Sequence, residues 1–247
     1  MPSEVAHLVD TDQTFPVIRL SGLLDPAATP AVRSALLEVL AGQPEALIVD
    51  VAGLRPADAT SAGVLAEVAA ENAEWPATRM VLAATGATGW AGSGLPMWDD
   101  RDAALHALGP AHPDDRRELL LEPVVGAARR ARELVTAACE RWDLTDLTGS
   151  AHIVVTEMVN NVVAHARTPM VVLLSRQGDA LRVAVRDHSG TTPRFTGPVA
   201  PTSYGGRGLL LIDSVADRWG SLTVPGGKIV WALMSDATTG IPDPAQG

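Results

Sequence analysis

Apolar and polar positions repeat along this chain with two different periods, and the changes of period mark out its elements. Val17–Leu20 is a short apolar run closed by Ser21-Gly22, as a strand ending in a turn would be. Thr29-Pro30 offers a cap and an N1 proline for Ala31–Leu40, an amphipathic helix that stops at Gly42. Ala46–Val51 reads A-L-I-V-D-V, a buried strand, and Ser61–Trp75 is a helix with Val64, Leu65, Val68 and Ala69 on its inner face. Arg79–Ala84 is a further strand and Arg101–Leu108 a short helix. Strand and helix alternate throughout, which is the pattern of an α/β layer fold.

Gly109 to Asp115 breaks the periodicity with Pro, Gly and charge, and reads as a linker. A second unit follows. Arg117–Leu121 is an edge strand, and Val124–Trp142 a long helix apolar at 124, 128, 131, 135, 138, 139 and 142. Ala151–Ala166 is another helix. Met170–Ser175 and Leu181–Asp187 form a hairpin about Gly178-Asp179, with Leu181, Val183 and Val185 on one face and Arg182 and Arg186 on the other. Arg194 to Gly206 is a polar loop. Gly208–Trp219 is a helix, and Ser221–Val224 with Ile229–Met234 closes the unit as a hairpin through Pro225-Gly226-Gly227. The tail from Thr238 is expected to be disordered.

Composition narrows the class. With 247 residues, 47% apolar and 19% charged, the chain can fill two ordinary cores. No apolar run reaches the roughly 18–20 residues of a membrane span, and no basic-then-apolar leader opens the sequence. A single cysteine, Cys139, lies on an apolar helical stripe and reads as a small buried residue. The expectation is a cytoplasmic protein with no membrane contact. Charge is uneven: residues 1–110 carry 14 acidic and 5 basic side chains, residues 111–247 carry 15 and 14. So acidic a front half argues against direct nucleic-acid binding. Arg129, Arg130 and Arg132 share one helix, as a solvated face or a docking patch for an acidic partner.

The chemistry concentrates in the back half. T-E-M-V-N-N-V-V-A-H (156–165) places Glu157, Asn161 and His165 at i, i+4 and i+8, a polar line along one flank of a helix. Two adjacent asparagines are an unusual choice for a helix that only packs. Val185–Gly190 then sends a strand into Asp187 and a turn, and Gly205-Gly206-Arg207-Gly208 ends a loop at a helix start. A buried carboxylate at Asp187 can accept from the adenine amine, and an Asn161 oxygen suits Mg²⁺. Glycines at 205, 206 and 208 let backbone N–H groups approach phosphate. Glu157 could take a proton from an attacking hydroxyl. The G-x-x-x-x-G-K-[ST] loop is absent, which excludes a P-loop enzyme.

With these motifs in hand, residues 117–236 resemble the GHKL (Bergerat-fold) ATP-binding domain, and within it the anti-sigma-factor serine/threonine kinases of actinobacterial type. The resemblance implies Glu157 as catalytic base, Asn161 as magnesium ligand, and Asp187, Gly190, Gly205, Gly206, Arg207, Gly208 and Leu209 as nucleotide-binding residues. Gly206-Arg207-Gly208-Leu209 with Asp217-Arg218-Trp219-Gly220 resembles the lid and its following helix. The sequence departs from the family where Ser189 stands two residues after the aspartate, with Gly190 next. His165 reads as a brace for the helix end, and Lys228, the chain's one lysine, as solvated beside a hairpin turn.

Residues 1–109 resemble a STAS domain, the fold of anti-sigma-factor antagonists, on L-S-G-L-L-D (20–25) and L-I-V-D-V-A-G-L (47–54). In that family a D-S-S-G turn offers the phosphorylated serine. Here the stretch is Asp58-Ala59-Thr60-Ser61-Ala62-Gly63, so counting from the aspartate selects Thr60 and counting back from a small residue selects Ser61. The alternative is that both hydroxyls merely cap the helix. The expected architecture is therefore α/β in two domains, a STAS-like sheet with helices (1–109) and a two-layer GHKL sandwich (117–236), joined by a linker at 110–116 and followed by a tail at 237–247. The expected function is an ATP- and Mg²⁺-dependent protein serine/threonine kinase and anti-sigma regulator, partnered by a sigma factor or a STAS antagonist. The alternative is a non-catalytic ATP-binding module that sequesters such a partner. A homodimer is left open.

Overall fold

The run A-L-I-V at Ala46–Val49 is wholly buried, and the strand that carries it lies at the middle of the first of two sheets. A computed structural model describes residues 5–74, 78–84, 88–190 and 207–235, and the chain divides into units at Met1–His112 and Pro113–Gly247. In the first unit β1 (Ala6–Asp10) runs antiparallel to β2 (Val17–Leu24). Parallel pairing then continues through β3 (Ala46–Pro56), β4 (Arg79–Ala83) and the two-residue β5 (Met97–Trp98). The crossovers are α1 (Thr29–Leu40) and α2 (Ala59–Glu74), and α3 (Arg101–Leu108) follows β5. Phe15, Val17, Ile48 and Val81 meet Ala104 and Leu108 of α3 in one cluster.

Local sequence explains most of these boundaries. Asp100 caps α3 by accepting from Ala103 N–H at 2.7 Å, and Gly109 ends it at φ +75°. Pro30 does sit in the first turn of α1, but Thr29 is not a side-chain cap. Its hydroxyl instead donates to the Asp25 carbonyl at 3.0 Å, while Asp25 Oδ1 accepts from Ala28 N–H at 2.9 Å. β1 escapes the sequence pattern because its face is not buried: Leu8 is 59% exposed and Val9 39%.

The second unit is a single antiparallel sheet under a helical layer. Its strands are β6 (Arg116–Leu121), β7 (Met170–Gln177), β8 (Ala180–Asp187), β9 (Arg218–Val224) and β10 (Gly227–Ser235), in the order β6-β7-β8-β10-β9. The helices are α4 (Ala127–Trp142), α5 (Thr148–Asn161) and α6 (Arg207–Val215). Alternate residues of three strands face them: Met170, Val172 and Leu174 on β7, Leu181, Val183 and Val185 on β8, Val230, Ala232 and Met234 on β10. Against these pack Ala131, Val135 and Ala138 of α4 with Val154, Val155 and Met158 of α5. Cys139 is buried in the same core, and burial pushes its thiol up from its ordinary value.

Four expectations change here. The helix expected over 208–219 ends at Val215, because from Arg218 onward the chain alternates with period two and Trp219 pairs with Ala232. Leu209, Ile212, Val215 and Ala216 fit a helical period, so the crossover between patterns fell inside one apolar stretch. The long helix begins at Ala127, after Gly126 turns at φ +97°, leaving Val125 99% exposed. The Asp114 segment is not a bare tether: residues 113–115 make one 3₁₀ turn and Trp142 Nε1 donates to the Asp114 carbonyl at 2.7 Å. Finally, Arg129 and Arg130 are exposed, but Arg132 turns inward and donates to Thr156 Oγ1 of α5 at 3.1 Å. The polar loop at 194–206 and the tail from 238 lie outside the described residues.

Candidate functional site

α5 packs on β8, β10, α4 and α6, so any polar residue on its open flank is held against a rigid support. Glu157 and Asn161 stand one turn apart on it, both half-buried, and Asn160 between them is exposed. Directly after Asn161 the helix widens into a π turn over Val162–Ala166, closed by Arg167 N–H to the Val162 carbonyl at 2.7 Å. His165 is exposed, and its neighbour Arg167 ends the helix in the left-handed region at φ +55°.

Gly208, in the first turn of α6, meets Glu157 directly. A Cβ built on it would lie 2.6 Å from Glu157 Oε2, so glycine lets this helix start approach the carboxylate in its present position, where any larger residue would turn the carboxylate aside. The carboxylate is well placed there, since the start of a helix carries partial positive charge. Leu209 follows as a core residue, 8% exposed, which anchors α6 to α5. Of Arg207 only the backbone is described, and Gly205 and Gly206 lie outside the described residues.

At the end of β8, Asp187 continues the row of Leu181, Val183 and Val185 and is 1% exposed. Its Oδ1 accepts from Ser189 N–H at 2.7 Å, a turn made by the backbone and thus indifferent to serine or glycine at 189. Gly190 has open space where a side chain would stand. Opposite Asp187 in the antiparallel register with β10 is Lys228. The expectation of a solvated lysine is wrong. Lys228 is 8% exposed, with its Nζ 2.9 Å from Asp187 Oδ2 and 3.1 Å from Oδ1. Gly227 makes the register achievable, because a Cβ there would fall 1.9 Å from the Asp187 carbonyl oxygen. Both residues were legible only as a hairpin turn, since nothing in the sequence fixes which residue of β10 faces Asp187.

Among the described residues no group of three or more His, Cys, Asp or Glu could hold a metal ion, so the expected donor, Asn161, has no such cluster beside it. That fits a Mg²⁺ ion held by one side-chain oxygen, waters and phosphate oxygens rather than by a protein cage. A buried carboxylate at Asp187 and a helix start that comes close to Glu157 at Gly208 fit an adenine at one end and phosphates at the other.

The two candidate acceptors in the first unit differ sharply. Thr60 is exposed in the first turn of α2, whereas Ser61 is 2% exposed and its Oγ, beside the Asp58 carboxylate, makes no well-formed hydrogen bond among the described residues. Asp58 caps that helix instead, accepting from Ser61 N–H at 2.7 Å, and this bond holds its carboxyl below the ordinary value.

Comparison with known proteins accords with this architecture. The model for the histidine kinase-like ATPase domain matches residues 121–234, and the model for a STAS domain matches residues 7–90. The chain therefore joins a STAS domain to a histidine kinase-like ATPase domain. Among solved structures, an anti-sigma factor antagonist from Mycobacterium paratuberculosis is 24% identical, covering 43% of this chain and 96% of its own, with a TM-score of 0.37. The RsbU and RsbW domains of a Mycobacterium tuberculosis protein are 17% identical over 51% of this chain, with a TM-score of 0.38. This chain covers 33% of that second protein. No curated protein matches. Among the described residues no helix is long and apolar enough to cross a membrane.

Proposed function

We propose that the ATPase unit is an ATP-dependent protein serine/threonine kinase of the anti-sigma type, and that the STAS unit is an antagonist-like domain joined to it in one partner-switching regulator. The observation that carries this reading is the meeting of Glu157 with Gly208, which brings a carboxylate to the helix start where phosphates would lie. A packing helix has no need of a carboxylate there, and a phosphotransfer site needs one beside its nucleotide.

Bound Mg-ATP would supply the transferable phosphoryl group and the cation that neutralises its charge. Asp187 accepts from the adenine amine at the buried end of the site. Asn161 offers its side-chain oxygen to the ion, one helical turn from Glu157. The backbone of Arg207 and Gly208 donates to phosphate, and Leu209 pins the start of α6 to the core. Glu157 takes the proton of a partner's Ser or Thr hydroxyl. The partner is a STAS-domain antagonist, and a sigma factor occupies the same regulator in the alternate state.

The exposed Thr60 is the acceptor this chain itself presents, and phosphate there would meet the start of α2. Ser61 would have to leave its buried position first. The test is intact-mass measurement after incubation with Mg-ATP, with and without a STAS partner. A phosphate-sized gain on either chain that disappears in Glu157→Gln supports the kinase. Nucleotide binding with no gain on any chain replaces it with a module that sequesters its partner without transfer.

A further inference from the structure

Lys228 is a buried ammonium at the nucleotide end of the ATPase unit for which the proposed mechanism has no use. Stability does not account for it. Two desolvated charges largely offset their attraction, and an apolar pair of equal volume usually does as well or better. Yet the strand pairing is arranged to place this ion pair, with Gly227 giving up its side chain so that β10 can approach the Asp187 carbonyl.

Among the described residues the hydrogen bonds of the pair leave at least one position open on each side. An ammonium has three donors; Lys228 Nζ donates to Asp187 Oδ1 at 3.1 Å and pairs with Oδ2 at 2.9 Å. Among the described residues it makes no other hydrogen bond. On Asp187, Oδ1 is taken by Ser189 N–H and by the ammonium, while Oδ2 meets the ammonium alone and keeps a lone pair. Acceptor and donor thus sit side by side at the end of the helix-facing rows of β8 and β10.

That edge is the complement of adenine, whose exocyclic amine donates and whose neighbouring ring nitrogen N1 accepts. We infer that Lys228 donates its remaining N–H to N1 of the adenine whose amine is accepted by Asp187, an assignment that rests on the nucleotide reading above. Guanine seated the same way would turn its O6 toward the carboxylate and its N1–H toward the ammonium, opposing both partners. Lys228 therefore makes base selection a two-point contact.

The experiment is calorimetric titration of the full chain and of Lys228→Met with ATP and with 1-deaza-ATP, which keeps the amine and replaces N1 by CH. A hydrogen bond to a charged donor is worth about a tenfold change in affinity or more. The native chain is expected to bind ATP at least about tenfold more tightly than the analogue, and Lys228→Met to bind the two alike. Equal affinities in the native chain, or a preference that persists without Lys228, overturn the inference while leaving the nucleotide reading intact. Absence of ATP binding by the native chain removes both. Should Lys228→Met lose its folded circular-dichroism spectrum, the native chain's two titrations still decide the matter, since indifference to N1 refutes the contact.

Discussion

Each unit buries a polar side chain at the edge of its core, and the two are treated in opposite ways. In the ATPase unit Asp187 is 1% exposed, yet it is held by an ammonium and by a backbone N–H. In the STAS unit Ser61 is 2% exposed, and its hydroxyl, beside the Asp58 carboxylate, makes no well-formed hydrogen bond among the described residues. A satisfied buried charge is positioned, with a lone pair pointing somewhere definite. An unsatisfied buried hydroxyl costs stability where it is and leaves only if the helix start moves. The first arrangement suits a preformed ligand site. The second suits a position that is closed, next to an exposed Thr60 that is open.

Substitutions can break this contrast, and the largest effect belongs to the reacting group. Glu157→Gln keeps the shape beside Gly208 and removes the proposed base, so the proposed phosphoryl transfer should fall by about 10²–10⁴-fold, measured by intact mass, with ATP affinity nearly unchanged. Asp187→Ala strands the Lys228 ammonium. It should destabilise the ATPase unit by about 3–5 kcal/mol, read as faster hydrogen exchange at β8 and β10 amides, and should abolish ATP binding. Gly227→Ala places a methyl group against the Asp187 carbonyl and should cost about 1–3 kcal/mol by the same exchange measurement, through a shift of β10.

On the other side of the comparison the effects are smaller and one changes sign. Ser61→Ala removes an orphaned hydroxyl and should leave stability unchanged or raise it by about 1 kcal/mol in urea unfolding. If Thr60 is the acceptor, that variant keeps its phosphate gain and Thr60→Ala loses it. The smallest effect is a pH dependence. The Asp58 carboxyl is lowered chiefly by the Ser61 backbone N–H, so its contribution is complete above its ordinary value of 3.8. It is lost as pH falls through the lower folded value. The gap in urea midpoint between the native chain and Asp58→Ala should close over that acidic window.

The sequence exposed what repeats locally. The buried strand at Ala46–Val49, the amphipathic α4 and the one-turn spacing of Glu157 and Asn161 follow from period alone, and the structure has them. Features that depend on pairing between distant segments were hidden. β1 is exposed and acquires its identity only from β2, and the end of α6 lies within a stretch whose apolar residues satisfy both periods. Lys228 shows the limit most clearly. Beside Pro225-Gly226-Gly227 it looked like a solvated turn residue, and only the register between β8 and β10 brings it to Asp187. The π turn that contains His165 likewise leaves no mark in an unbroken apolar periodicity.

The account depends on an adenine nucleotide seated between Asp187 and the start of α6, and calorimetry of the full chain with Mg-ATP tests that claim most directly. The prediction is saturable one-to-one binding that is lost in Asp187→Ala. A native chain that gives no binding heat at millimolar Mg-ATP or Mg-ADP would contradict it.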